Sequence, residues 1–214
     1  MMIIWLILFI LRTDLRREML MVSPVIGVAG PIFEYFHILD WWKPITITGT
    51  RIGPEDFLIG FAIGGIGSVI YKHIFRKANT GPYRANYLRL FCLTISCFIV
   101  YSGLFFIFKL GSAYSVFISL LMGISVVLRI RRDLIRKSLV TGTVMVAIGT
   151  TVYWIFQLIQ PGFIKNFWYL PDIWYASMFM GIPIAEYIWY FLAGAFIGTL
   201  FEFWQDKQIV DLNG

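Results

Sequence analysis

Charge is what this chain has least of: Asp, Glu, Lys and Arg make up 14% of its 214 residues, against roughly 25% in an ordinary soluble domain. With 59% hydrophobic residues it has more apolar surface than a water-soluble fold of this size can hide, so it reads as an integral membrane protein. At about 20 apolar residues per crossing there is room for about six or seven helices and little else. One domain over residues 1–214 is expected, with no separate soluble module. Cysteine is nearly missing. Cys92 and Cys97 share one apolar run on different helix faces, which leaves packing thiols and excludes a disulfide framework. Histidine occurs twice. Glu34 and His37 have the spacing that shares one helix face in carboxylate-bridged metal proteins. A two-metal site needs a second such pair, and His73 lies in a basic stretch instead. No metal is expected, and His37 reads as a hydrogen-bonded interface residue.

Other absences narrow the function. Gly65-Ile66-Gly67 is followed by no third glycine and preceded by no strand, so it is not a dinucleotide fingerprint and no flavin, nicotinamide or other cofactor is expected. No Asp-x-x-x-Asp pair occurs that would hold magnesium and diphosphate, as a membrane prenyltransferase requires. The last apolar segment has no lysine inside it, Lys207 coming after it, which excludes a retinal protein.

What is present is a series of apolar segments: residues 1–11, 19–39, 51–72, 87–108, 112–130, 139–159 and 183–204. The first carries its charges after the apolar run and no A-x-A cleavage site follows, so it is expected to be an anchor and not a secretory signal. At ~1.5 Å per residue it is short for a crossing. Basic loops are expected at residues 12–18, 72–89 and 129–137. Fourteen of the eighteen Lys and Arg residues fall in alternate connections, which by the positive-inside rule predicts seven crossings in a cell membrane, N-terminus outside and C-terminus cytoplasmic. Bases beside anionic lipid account for the net charge, and no nucleic-acid partner is expected.

The segment opened by Pro54, Glu55 and Asp56 is echoed by residues 183–204. Asp56 lies over Glu186, Phe57 over Tyr187, Phe61 over Phe191, Gly64 over Gly194 and Ser68 over Gly198. Arg12 and Asp14 likewise lie over Arg131 and Asp133. The expected fold is therefore an all-α membrane protein, a seven-transmembrane-helix bundle of two tandem three-helix repeats, about residues 1–75 and 113–206, joined by a connector helix at about 86–110. Such repeats share one orientation about an axis near the membrane normal. Gly60, Gly64, Gly194 and Gly198 have the small-residue spacing that lets helix backbones approach closely, which is packing.

A carboxylate in lipid is costly, so intramembrane acids are candidates for function by default. Glu34, Glu55, Asp56 and Glu186 all fall toward one membrane face under this topology. Glu55 and Asp56 stand equally well as the acidic start of a helix, favoured by its dipole. Glu186, beyond Pro183 and flanked by Tyr187 and Trp189, fits that role less well. The Trp and Tyr residues of the loops on the same face suit an interfacial belt. They would also suit a polyene or a carbocation.

With the basic D-L-R turn after the first segment, Asp40-Trp41-Trp42-x-Pro44, Pro54-Glu55-Asp56-Phe57 and Gly181-Ile182-Pro183-Ile184-Ala185-Glu186-Tyr187-x-Trp189, the chain resembles the integral-membrane lycopene cyclase family of paired three-helix units. The resemblance implies a redox-neutral isomerisation: a carboxylic acid protonates the terminal alkene of a linear carotene, the ring closes, and a base removes a ring proton to leave a β-ionone ring. It implies the acid role for Asp56 or Glu55, and the base or cation-stabilising role for Glu186 and Glu34. The implied partners are a carotenoid or other polyisoprenoid and membrane lipids. Ala185 stands where the family commonly has the first of two adjacent acids. The alternative expectation is a carotenoid- or lipid-binding or transport protein on the same scaffold, without catalysis.

Overall fold

The computed structural model describes residues 1–212, and most of them are helical. The helices are α1 (Met2–Leu11), α2 (Arg16–Asp40), α3 (Pro54–Ile74), α4 (Tyr87–Ser102), α5 (Ser112–Ile130), α6 (Ile135–Ile159), a one-turn α7 (Phe163–Phe167) and α8 (Ile184–Gln205). Six of them, α2 through α6 and α8, are long and apolar enough to cross a membrane, and this is a multi-pass membrane protein. Helix α1 has ten residues and spans only about 15 Å at ~1.5 Å per residue. It lies against α3, where Trp5 covers Gly65, and the Trp5 indole donates to Ser23 Oγ of α2 at 2.9 Å.

The basic connections at 12–18 and 129–137 are much shorter than the sequence suggests. Each shrinks to a single turn, Thr13–Leu15 or Arg132–Leu134, with helix on both sides. The reason is local pairing. The Arg12 guanidinium grips Asp14 at 2.7 and 2.9 Å, then donates to the Lys72 carbonyl at 2.7 Å and the Lys77 carbonyl at 2.6 Å. Arg131 grips Asp133 at the same distances and donates to the carbonyls of Glu202 at 3.0 Å and Lys207 at 2.7 Å. Each arginine fork thus satisfies one carbonyl in the last turn of a helix, Lys72 of α3 or Glu202 of α8, and a second one in the chain just beyond it. The strand β1 (Lys77–Thr80) follows α3 and pairs antiparallel with β4 (Gln208–Asp211), which follows α8, so the chain beyond each of these helices is tied to the other.

Two helix pairs are the closest in the bundle, α2 with α3 and α6 with α8. Glycine is what lets them approach. A Cβ on Gly64 would stand 2.8 Å from Ile26 Cβ, and one on Gly194 would stand 2.8 Å from Met145 Cβ. A Cβ on Gly60 would meet the Ile26 carbonyl oxygen at 2.7 Å, and one on Gly142 the Phe191 carbonyl oxygen at 2.7 Å. Without a hydrophobic drive between helices in lipid, such close backbone contact is a principal source of association.

At the opposite end from the arginine turns the connections are aromatic. Helix α4 ends in a wider turn over Gly103–Ile107. The chain between α6 and α8 holds α7, a turn at Trp174–Ala176 and a small hairpin of β2 (Met178–Phe179) with β3 (Ile182–Pro183). Pro183 therefore lies one residue outside α8, whereas Pro54 opens α3 as its first residue. Buried Phe36, Trp41, Tyr101, Phe117, Trp168 and Tyr175 form an aromatic cluster at this end, distinct from a second core cluster in which aliphatic side chains predominate.

Candidate active site

The aromatic end is held together by a short ladder between two connections. Lys43 N–H donates to the Phe167 carbonyl at 2.8 Å, and Tyr169 N–H to the Trp41 carbonyl at 3.0 Å. This fixes Trp41, just past the end of α2, beside Trp168, just past α7. Both indoles point at one carboxyl group. Glu186, in the first turn of α8 and only 7% exposed, accepts from Trp41 Nε1 at 2.8 Å and Trp168 Nε1 at 2.9 Å on Oε1. It accepts from the Tyr153 hydroxyl of α6 at 2.6 Å on Oε2. Tyr153 in turn meets the rings of Trp168 and Tyr190 edge-on, at 5.7 and 6.0 Å. Three neutral donors surround this carboxyl group, and among the described residues no cation pairs with it. Both of its oxygens thus have hydrogen-bond partners, and none of these is the cation of an ion pair.

The other three acids are placed differently. Asp56 is buried, and its Oδ2 accepts from the Gly53 backbone N–H at 2.8 Å, so it caps α3. Its main chain is crowded, because a Cβ on Gly30 of α2 would come to 2.7 Å from the Asp56 carbonyl oxygen. Glu55 turns toward the preceding connection, where Oε1 accepts from Ile47 N–H at 2.9 Å. Glu34, half-buried on α2, lies within the electrostatic reach of both Asp56 and Glu186 and has the Trp42 indole beside it. Its Oε1 has no hydrogen-bond partner. Glu34 is thus the acid with both Asp56 and Glu186 in its surroundings, while Glu55 is bonded to the preceding connection.

Beside Glu34, Tyr101 of α4 is 0% exposed with an unpartnered hydroxyl. Phe33 and Phe36 each lie 5.1 Å from its ring, and Phe105 at 6.3 Å. A carboxyl oxygen and a phenol, both buried and without partners, thus lie against an aromatic wall. His37 does not join Glu34. Its Nδ1 lies 2.9 Å from Ser112 Oγ, and the Asp40 carboxylate accepts from the Ser112 N–H at 2.7 Å, capping α5. Tyr175 packs nearby, its phenol pushed up to about 12 by burial and by the neighbouring Tyr114 and Asp40.

Sequence reasoning assigns no site role to Trp168 or Tyr153, and none to Trp41 beyond its place in the Asp40-Trp41-Trp42-x-Pro44 motif. Read along the chain, the loop aromatics are an interfacial belt, and nothing in their spacing says that two of them face a common acid. Glu18 and Glu202 were passed over as well. Glu18 follows Arg16 and Arg17, and Glu202 stands close to the end of its apolar segment, where acids are expected to be solvated.

Residues 111–204 match the family model described as lycopene cyclase. That stretch runs from the start of α5 into the last turn of α8 and contains Tyr153, Trp168 and Glu186. No curated protein and no solved structure matches the chain.

Proposed function

We propose that this membrane protein, with its lycopene cyclase domain over residues 111–204, closes the ends of a linear carotenoid into β-ionone rings. The reaction is an isomerisation. A carboxylic acid gives its proton to the terminal alkene, the internal double bond attacks the resulting cation, and the ring cation loses a neighbouring proton to a base. No electrons are gained or lost, and proton return from base to acid resets the site. Such chemistry calls for an acid, a base and exclusion of water.

The observation that carries the reading is Glu186 under three donors that come from both halves of the chain, Trp41 from one and Trp168 and Tyr153 from the other. Glu186 takes the role of base or cation stabiliser, sharing it with Glu34. The acid is Asp56 or Glu55, and the direction of Glu55 toward Ile47 favours Asp56. The aromatic wall of Phe33, Phe36, Tyr101 and Phe105 suits a polyene end and the positive charge that develops on it.

The same reading takes the bundle as two three-helix repeats with the acids toward the outer leaflet. It is supported by the corresponding Arg12 and Arg131 turns and by the placement of the basic residues. Expression in cells that accumulate lycopene tests the function: monocyclic or bicyclic carotene is expected, and unchanged lycopene would overturn it. A second reading, a protein that binds the carotenoid without changing it, is favoured by Asp56 serving as a helix cap and by Ala185 leaving Glu186 without an adjacent acid. Lycopene co-purifying unaltered would support that one.

A further inference from the structure

Far from the acids, at the arginine end, four charged side chains close a ring inside the bundle. Lys72 of α3 is hydrogen-bonded to Glu18 of α2, and its Nζ lies 2.6 Å from Glu202 of α8. Lys137 of α6 reaches both oxygens of Glu202 at 2.7 Å and lies 3.7 Å from Glu18. Each of the four side chains is at most 1% exposed. Asn79 of β1 donates to Glu18 at 2.8 Å and accepts from Lys72 at 2.9 Å, and the Phe201 ring lies 5.4 Å from the Lys72 ammonium.

The order of signs is what makes the ring informative. Glu18 follows the Arg12–Asp14 turn as Lys137 follows the Arg131–Asp133 turn. Lys72 gives its carbonyl to Arg12 as Glu202 gives its carbonyl to Arg131. Corresponding places in the two halves thus carry opposite charges, and these places face one another: Lys72 meets Glu202, and Glu18 meets Lys137. Asn79 pairs directly with Ile209 in the ribbon that joins the same two ends. Two like halves joined this way would set Lys72 against lysine and Glu18 against glutamate, so that each buried charge keeps its partner within the half and faces a like charge across the seam, which is unfavourable.

We propose that this quartet is the recognition element between the α1–α3 half and the α5–α8 half. It admits the pairing of unlike halves and excludes that of like ones. Its signs alternate around the ring, so each charge has an opposite neighbour within its own half and another across the seam.

The test separates the seam from the pairs. E18K/K72E keeps an opposite-charge pair within the first half but sets acid against acid and base against base across the seam. K137E/E202K does the same from the other side. The four-fold exchange restores alternation everywhere. In detergent, each double variant is expected to lose about 10 °C in Tm, or to yield no monodisperse protein. The four-fold variant is expected to regain at least half of the loss. Double variants as stable as the parent, or a four-fold variant no better than the doubles, would overturn the proposal. Recovery of folded protein in the four-fold variant alone, where both doubles fail to fold, supports it.

Discussion

Trp41, at the end of α2, donates its indole N–H to Glu186, at the start of α8, across 2.8 Å. The bond joins residues 145 positions apart, and it sets the one buried acid of α8's first turn on a donor from the other half of the chain. A hydrogen bond to a charged acceptor contributes about 1.5–3 kcal/mol. Trp41→Phe keeps an aromatic ring of similar shape and removes only the donor. If the indole holds the carboxyl group for the reaction, ring formation in lycopene-accumulating cells should fall about 10- to 100-fold, at ~1.4 kcal/mol per factor of ten, with carotene yields normalised to protein. A fall in Tm with unchanged product per molecule would assign Trp41 to stability alone.

Glu186→Gln is a sharper change. A glutamine offers one oxygen and one amide NH2, and the amide must then face either the two indoles or the Tyr153 hydroxyl. Facing the indoles places donor against donor. Ring formation should be lost altogether and Tm should fall. Full ring formation in this variant would remove Glu186 from the reaction. Tyr153→Phe, which deletes the 2.6 Å donor and keeps the ring packed on Trp168, should show a smaller loss.

How much of this could be read from the chain depends on the range of the interaction. The helices were legible because apolar length is a local property, and the placement of Arg12 over Arg131 and of Gly64 over Gly194 was legible because both repeat in order. The acids Glu34, Asp56 and Glu186 stood out because carboxylates are rare in apolar runs. The donors to Glu186 did not, because they lie on three separate elements: the ladder at Lys43 and Tyr169 brings Trp41 beside Trp168, and the packing of α6 on α8 brings in Tyr153. The buried role of Lys72 and Lys137 was hidden for the opposite reason: in sequence they look like any other basic residues at the end of a membrane segment. Glu55 and Asp56 are adjacent and equally acidic, and only the direction of the chain at Gly53 separates the one that caps α3 from the one that turns to Ile47.

The helix contacts make a prediction with its own control. Gly142→Ala puts a Cβ at 2.7 Å from the Phe191 carbonyl oxygen, and backbone on α8 cannot move aside as a side chain can. Overpacking of this kind costs about 1–3 kcal/mol, and Tm in detergent should drop by several degrees. Gly103→Ala has no atom within 4 Å of the new Cβ. It should leave Tm unchanged or raise it slightly. Equal effects at the two positions would mean that α6 and α8 are not in backbone contact at Gly142.

The last prediction concerns which way the bundle faces. Thr48 lies exposed in the connection between α2 and α3, at the aromatic end, and Arg84 lies exposed after β1, at the arginine end. Basic residues concentrate at the second end, and the positive-inside rule assigns it to the cytoplasm. In a background with Cys92 and Cys97 replaced by serine and alanine, Thr48→Cys should react with a membrane-impermeant maleimide in intact cells. Arg84→Cys should react only after the membrane is opened. The reverse pattern would put the Glu186 site on the cytoplasmic side. Proton exchange for the reaction would then draw on a different compartment, although the contacts around the carboxyl group would be the same. Labelling of both positions in intact cells would mean an even number of crossings between them, against the single crossing that α3 provides between Thr48 and Arg84.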